Sequence, residues 1–442
     1  MSDVVRAVGY IGGLQRLAWN GASIQMQAYL WGGGGGGGGR DGGAATQNGG
    51  NGTGGAYSEI TLALNAGDIL DVAVAQGGGR GASAQASAAG GLAGQSLVFD
   101  LFDSRNAIGA IAQTNGAWSP FMNAHAVWDA GDDVYNYSQI INFPYTGYYT
   151  FTHAVDNSVT VTLDGTTIIV FSGFQDNPPQ TSGILVTAGN HVLAWTAVNA
   201  GGPRGIALTI TASLSGGNGS AAGPAPFSGG GGGGGGATAL FKNNELIAIA
   251  GGGGGGGGGG QFLGASPDAP GPNGVTLDGV FAGQNGQSKG GDGGGAGGGG
   301  GGYAGGQGGS VQGGDSNGLG GSAGRGLGTA ILSPNQRTPG GSGSQYYAGS
   351  SRGGSGDVGA GPATTGQNGY AVFVLQIPGI FVRSNAVWVP VQNVYLRQNN
   401  SWQLIENNYV RSGGSWLPVG GADPPRFSSA SGTWGRSPRP NS

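Results

Sequence analysis

The sequence predicts an all-β protein built from several units, and three observations carry the prediction. Apolar residues cluster in short, often alternating runs bounded by Gly, Asn, Asp and Ser, the pattern of strands and turns. Glycine supplies 107 of 442 residues, with unbroken runs at Gly32–Gly39, Gly229–Gly236, Gly251–Gly260 and Gly297–Gly302. A 14-residue aromatic–Arg–Trp repeat fills the C-terminal part.

Ordering a glycine costs about 0.5–1 kcal/mol more than ordering an alanine. Such runs are therefore either disordered or packed where no side chain fits. Disordered chains combine low hydrophobicity with high net charge. This chain is 37% hydrophobic and 9% charged, with a net charge of −4, and its glycine runs abut β-like segments. The runs are expected to be ordered. Collagen is excluded, because glycine does not recur strictly every third residue and only 20 prolines occur. A polyproline II helix has three residues per turn and no internal hydrogen bonds. Glycine helices of that kind can lie side by side and bond one another laterally, which meets the demand that buried backbone groups be paired.

In chain order, residues 1–22 form an N-terminal segment. Residues 23–95 and 216–377 form a discontinuous glycine-rich domain. Its first strand runs over 23–31. Strands at 56–64 and 69–75 are read as an antiparallel hairpin around Asn65-Ala66-Gly67-Asp68. A second hairpin joins Ala237–Phe241 to Glu245–Ala250 through Lys242-Asn243-Asn244, and Tyr370 to Ile377 reads as a buried strand. These strands supply a hydrophobic platform that pins the register of the glycine helices.

Residues 96–215 are read as an inserted β-sandwich, free of polyglycine and rich in large aromatics. Strands are expected at Leu97–Phe102, Ala107–Ala112, Ser138–Phe143, Tyr148–His153, Ser158–Leu163, Thr166–Phe171, Gly183–Thr187, His191–Val198 and Gly205–Leu214. The spacing near ten residues and turns such as Asp164-Gly165 and Ala188-Gly189-Asn190 indicate a sandwich. Residues 378–436 carry the repeats, in which Phe381, Tyr395 and Tyr409, then Arg383, Arg397 and Arg411, then Trp388, Trp402 and Trp416 recur in step. Phe427 and Trp434 read as a degenerate fourth copy. A two-stranded unit cannot bury a core alone, so the repeats should stack on neighbours or on another chain. With the tail included, residues 378–442 have six Arg against one Asp and one Glu. The tail, 437–442, reads as disordered.

There is no Cys, so no disulfide framework and no thiolate metal site. The N-terminus lacks the basic-then-apolar pattern of a signal peptide, and no apolar run approaches the roughly 20 residues of a membrane span. A soluble product made in the cytoplasm, without membrane insertion, is expected. Two Lys against 15 Arg, with mild overall acidity, argue against general nucleic-acid binding.

Several stretches are similar to a known domain: Gly-Gly-Ala-Tyr at 54–57, Leu-Asn-Ala-Gly-Asp-Ile-Leu-Asp-Val at 64–72, Asn-Glu-Leu-Ile-Ala-Ile-Ala-Gly-Gly-Gly at 244–253 and Gly-Tyr-Ala-Val-Phe-Val at 369–374. Together they resemble the glycine-rich domain of phage tail-fibre and receptor-binding proteins. That resemblance implies a jelly-roll-like sheet domain with a bundle of polyglycine II helices. A similar domain occurs in some animal receptor tyrosine kinases, whose ectodomains contain Cys, so the phage side is favoured. The insertion, through Gly147-Tyr148-Tyr149-Thr150-Phe151, Asp156-Asn157-Ser158 and Thr162-Leu163-Asp164-Gly165, resembles the protective-antigen-type β-sandwich of adhesins and glycosidases. Sugar-binding members hold calcium with an adjacent acidic pair. Here the pair is Asp156-Asn157, with one carboxylate, whereas calcium takes six to eight oxygens. The C-terminal repeats resemble short Trp-containing repeats near the ends of phage tail proteins.

Each candidate site has a plain alternative. Asp156, Asn157 and Asp164 suit turns that bond their own backbone, or else a glycan or calcium loop. Trp118, Trp128, Tyr135, Tyr137 and Tyr145 suit packing, or else an aromatic platform for sugar or protein. His125, His153 and His191 match no zinc spacing. A triad is spatial, but no Gly-x-Ser-x-Gly supports one. Arg383, Arg397 and Arg411 suit cation–π partners of Trp388, Trp402 and Trp416, or an assembly surface of the kind in which aromatics and Arg are enriched.

The expected function is that of a bacteriophage virion protein. It would be a tail fibre or tail-tip adhesin that binds host-surface glycan or protein and assembles with other tail proteins, as a homotrimer in the manner of fibres. No cofactor is expected, and calcium is the one ion the resemblance admits. The alternatives are a virion component with no receptor role, and a glycan-degrading enzyme, which would need paired carboxylates.

Overall fold

The computed structural model describes residues 4–20, 23–42, 47–83, 87–104, 134–156, 158–173, 175–198, 205–224, 227–260, 268–269, 276–277, 281–288, 293–311, 315–359, 361–376, 380–384, 387–391, 395–398, 401–404, 408–412, 415–419 and 428–429. The expected strand Ala107–Ala112, the fourth repeat at Phe427 and Trp434, and the tail lie outside the described residues.

The described chain is all-β. Its platform is two antiparallel five-stranded sheets. One contains β1 (Val4–Gly9), β3 (Ile24–Trp31), β4 (Tyr57–Leu64), β18 (Ala330–Leu332) and β19 (Tyr370–Gln376), in the order β1-β19-β3-β4-β18. The other contains β2 (Leu14–Ala18), β5 (Ile69–Ala73), β14 (Thr238–Lys242), β15 (Glu245–Ala250) and β26 (Ser428–Ser429), in the order β15-β14-β5-β2-β26. Strand periodicity sends Met26, Ala28 and Leu30 of β3 inward, where they join Leu70, Val72, Leu240 and Phe373 in one core. The opposite face of β3 is also covered: Tyr29 and Trp31 pack with Tyr57, Tyr370 and Tyr346. Trp31 stacks on Tyr370 with ring centroids 4.4 Å apart.

Two sequence readings change. Strands 56–64 and 69–75 are not a hairpin. β4 pairs with β3 and β18, whereas β5 pairs with β14 and β2, so the Asn65–Asp68 turn crosses from one sheet to the other. Residues 1–22 are also not a separate segment: β1 pairs with β19 along its whole length and β2 with β5. The hairpin of β14 and β15 is as expected, with Asn243 and Asn244 at positive φ.

Six platform strands meet the glycine tracts at one end of the two sheets. Gly32–Gly39 donates to three neighbours in strict rotation: residues 32, 35 and 38 to Ala56, Thr53 and Gly50; 33, 36 and 39 to Gly236, Gly233 and Gly230; 34 and 37 to Gln367 and Thr364. This three-residue period is that of a polyproline II helix. The run also accepts bonds from three further segments, through Gly253, Gly78 and Gly354 among others. Gly229–Gly236 and the run ending at Gly302 are likewise bonded to six surrounding segments, and Gly251–Gly260 to five. The four unbroken glycine runs are thus the interior helices of the bundle. In two rim segments, exposed side chains recur where the helix faces outward. Ala89, Leu92 and Gln95 are exposed at intervals of three, and so are Asn218 and Ala221.

At the rim, side-chain amides replace the missing lateral carbonyls. Asn218 Oδ1 accepts from Ala93 N–H (2.7 Å), Asn285 Oδ1 from Asn218 N–H (2.8 Å), Asn51 Oδ1 from Gly356 N–H (3.1 Å) and Asn368 Oδ1 from Gly77 N–H (3.0 Å). The Asn and Gln residues that punctuate the glycine tracts therefore complete the backbone hydrogen bonding that burial requires.

Among the described residues, the insertion is an eight-stranded sandwich. One sheet holds β7 (Val134–Phe143), β9 (Ser158–Leu163), β10 (Thr166–Ser172) and β12 (Gly189–Val198), in the order β10-β9-β12-β7. The other holds β6 (Val98–Asp103), β8 (Gly147–Asp156), β11 (Gln175–Val186) and β13 (Gly205–Ser213), in the order β11-β8-β13-β6. Phe143, Phe151, Val161, Leu193, Trp195 and Leu208 form its core. Minor pairs form between β16 (Thr276–Leu277) and β17 (Gly305–Gly306). The C-terminal repeats are three separate hairpins: β20 (Ile380–Ser384) with β21 (Val387–Val391), β22 (Tyr395–Gln398) with β23 (Ser401–Leu404), and β24 (Asn408–Ser412) with β25 (Ser415–Val419).

Candidate functional site

The sandwich is mounted on the platform by more than its two chain connections. The connections are themselves tied: Leu214 N–H donates to Leu97 O (2.8 Å), Ala237 N–H to Leu214 O (2.8 Å) and Ser96 Oγ–H to Ala237 O (2.5 Å). A third attachment is the turn between β7 and β8. Tyr145 is 5% exposed, packs its ring against Phe241 with centroids 4.1 Å apart and donates its hydroxyl to Asp71 Oδ2 (3.0 Å). Asp71, 1% exposed, is also held by both forks of Arg16, at 2.7 and 2.8 Å. A buried carboxylate is tolerated when its oxygens are filled this way. Burial, then the Asp71 charge, pushes the Tyr145 hydroxyl well above the ordinary tyrosine value. Leu97, Phe99, Tyr148, Phe281 and Tyr303 complete an apolar junction between sandwich, platform and bundle. Tyr145 is thus a mounting residue and presents no aromatic platform.

Of the residues picked from sequence in the sandwich, Trp118, Trp128, His125 and Asn157 lie outside the described residues. Asp156 ends β8, in register with Gly205. Asp164 and Gly165 both have positive φ, the signature of a two-residue hairpin turn. The Asp164 carboxylate faces its own fold. Oδ1 accepts from Val192 N–H (2.8 Å), and Oδ2 lies 2.6 Å from His191 Nδ1. The Val192 amide, then His191, hold the Asp164 carboxyl below the usual carboxylate range. His191 Nε2 reaches Thr187 O (3.0 Å) and Thr187 Oγ1 (3.2 Å). The imidazole therefore ties the β9–β10 turn to the start of β12. The nearer partner of Nε2 is a carbonyl, which requires a donor there, so the ring is placed as a clamp and not as a general base.

Tyr137 stacks on Trp195 at 4.0 Å, and Tyr135 packs on the same core. His153 is 4% exposed and faces the sandwich interior, with its Nδ1 lacking a hydrogen-bond partner. Burial lowers its pKa. Among the described residues, no three His, Cys, Asp or Glu side chains are grouped to hold a metal ion.

In the C-terminal hairpins the candidate pairs fall directly opposite each other: Arg383 with Trp388, Arg397 with Trp402 and Arg411 with Trp416. The hairpins begin shortly after β19 has run away from the bundle, and the chain returns at β26, where Ser428 pairs with Ala18. Ala18 in turn pairs with Ile69, at the end of β5 remote from the glycine tracts. The hairpins are therefore tethered at the end of the platform opposite the bundle.

The far end of the bundle carries a polar cluster that sequence reasoning missed. Arg80, Ser83, Ala89, Asp357 and Pro362 line an open cleft. Arg40 Nε lies 3.6 Å from Asp357 Oδ2, and Arg80 Nη1 donates to Ala363 O (3.2 Å). The available signal was the placement of charge at the ends of glycine runs, as in Gly39-Arg40-Asp41 and Gly79-Arg80-Gly81.

No family model matches this chain, and no curated protein matches it.

Proposed function

We propose that this chain is a bacteriophage virion protein, a tail fibre or tail-tip adhesin that displays a surface for host glycan or protein on a rigid mount. The observation that supports it best is polarity. The interior glycine helices leave the platform at one end and finish in charged tip loops, while the hairpins with their Arg–Trp pairs hang from the other end. Backbone-bonded helices make a stiff stalk, and recognition on rigid scaffolds is carried by the loops they position. The sandwich, fixed by the Tyr145–Asp71–Arg16 contact, adds a second oriented module. The hairpins supply the aromatics and Arg favoured in interface cores and are the assembly end of the reading.

The test is cell binding. Labelled full-length chain is mixed with a panel of bacterial strains and with surface polysaccharides purified from them. Saturable binding to a subset of strains is expected. Replacing residues 96–214 by a short Gly/Ser link then separates the two displayed surfaces: retained binding assigns recognition to the bundle tip, and lost binding assigns it to the sandwich. Incorporation into particles without saturable binding to any strain replaces this reading by the non-receptor virion component.

A further inference from the structure

Asparagine is a thermolabile residue, most of all before glycine, whose missing Cβ lets its nitrogen approach the preceding side chain. In that reaction the glycine nitrogen attacks the Asn Cγ. An N–Cγ bond forms, the Cγ–Nδ2 bond breaks, and the amide leaves as ammonia with the proton that the glycine nitrogen gives up. Water then opens the five-membered succinimide at either carbonyl, leaving aspartate or isoaspartate. Water is consumed and ammonia released, and nothing is oxidised or reduced.

The bundle contains such pairs in a recurring clamp. Asn218 Oδ1 accepts from Ala93 N–H (2.7 Å), while Gly219 N–H donates to Gly91 O (2.9 Å). Asn317 Oδ1 accepts from Gly260 N–H (2.9 Å), while Gly318 N–H donates to Gly258 O (3.0 Å). Asn51-Gly52 grips Gly356 and Gly354 in the same way, and Asn368-Gly369 grips Gly77 and Ala75. In these four pairs the two bonds reach residues two apart on one neighbouring segment. In Asn285-Gly286 both bonds go to Asn218, to its N–H and its carbonyl. The clamp holds the two groups that would react, the side-chain amide and the glycine nitrogen. Closing the ring folds the side chain back over its own following peptide, so both bonds must break first.

We propose that these five Asn–Gly pairs are latent deamidation sites that the folded bundle keeps shut, so that opening of the bundle becomes a one-way step. The aspartate product keeps an acceptor where the amide oxygen was. The isoaspartate product carries the main chain through the side-chain carbonyl and lengthens the backbone by a carbon. That shift puts the three-residue period out of step with the neighbouring helices, and a bundle carrying it cannot rebuild its lateral bonds. This inference rests on the bundle's hydrogen bonds and does not depend on the phage reading.

The test follows the reaction in the full chain, in mildly alkaline buffer with and without urea, by peptide mapping that separates aspartate from isoaspartate products. Conversion at the five positions is expected to be at least about tenfold slower in the folded chain, because it is confined to the locally opened fraction. Ala93→Pro tests one clamp. Proline suits the polyproline II backbone and lacks the N–H that Asn218 Oδ1 accepts. In the folded variant, Asn218 should convert about fivefold faster, as the loss of one hydrogen bond allows, while Asn51 and Asn317 keep their rates. Chains refolded promptly from urea should regain slow hydrogen exchange over 229–236, and chains first left to form isoaspartate should not. Equal rates in folded and unfolded chain overturn the proposal, whatever Ala93→Pro does. So does a folded Ala93→Pro chain in which Asn218 converts no faster, or full recovery of exchange protection by chains carrying isoaspartate at these positions.

Discussion

Gly233 shows why the interior runs are glycine. A methyl group there would overlap the carbonyl oxygen of Leu92, a backbone atom that cannot swing aside. Gly233→Ala is expected to cost the 1–3 kcal/mol or so of an overpacked site, or more. Gly361, with nothing near its Cβ direction, should accept alanine at no cost or with a gain of about 0.4–1 kcal/mol from a stiffer unfolded chain. Denaturant midpoints of the two variants compare them directly. Acid should act on the sandwich in two windows. His153 is buried and its folded pKa is lowered, so the unfolded chain takes up the proton first. Stability is full above the ordinary value near 6.5 and falls as pH drops below it. His153→Phe should flatten that first window in thermal melts. Asp164 has a lowered carboxyl pKa, so its contribution is present above the ordinary value of 3.8 and is lost as pH falls through the lower folded value. Asp164→Asn should change only the second window. The sequence marked Asp164 as a turn residue, and the positive φ of Asp164 and Gly165 fits that. It could not show that His191 closes the turn, because the two are joined only by strand register.

At the scale of elements, the rim amides and the sandwich mount are the features to test. Asn218→Ala removes the acceptor for Ala93 N–H at the rim of the bundle. A cost of about 1 kcal/mol is expected, as for one hydrogen bond. Hydrogen exchange should show faster exchange at Ala93, with the interior run 229–236 still protected. Tyr145→Phe leaves Asp71 one donor short in a buried site. A loss of about 1.5–3 kcal/mol, as for a bond to a charged group, should appear as earlier melting of the sandwich relative to the platform. Strand positions were largely legible: β9 matches its expected span, and most others differ by a few residues at their ends. Pairing was less so. The Asn65–Asp68 turn signals a reversal but not whether the strands stay in one sheet, and β5 finds its partners 170 residues away in β14 and earlier in β2. β1 and β2 escaped notice because Arg6 and Arg16 interrupt short apolar runs, and Arg16 is needed for Asp71. The bundle tip was legible only as charge at the ends of glycine runs, because Arg40, Arg80 and Asp357 are far apart in sequence and meet only when the glycine helices pack.

For the whole molecule, the sequence distinguished glycine runs from linkers by what flanks them, and the structure adds a rule for which runs are unbroken. The helices bonded to five or six neighbours hold the unbroken glycine runs, and rim segments such as 89–95 and 218–221 expose a side chain at each third residue. The rule also has a thermal consequence. Exposing apolar surface raises the heat capacity of unfolding, whereas exposing peptide groups lowers it. The bundle hides mostly peptide groups, and its interior has almost no hydrocarbon. The full chain should therefore unfold with a heat-capacity change per residue below the usual 12–15 cal/mol/K or so, measurable by scanning calorimetry. A small heat-capacity change flattens the curve of stability against temperature. The chain would then keep nearly the same margin of stability in the cold as in the warm, because little of the bundle's share of that margin comes from the hydrophobic effect, which weakens on cooling.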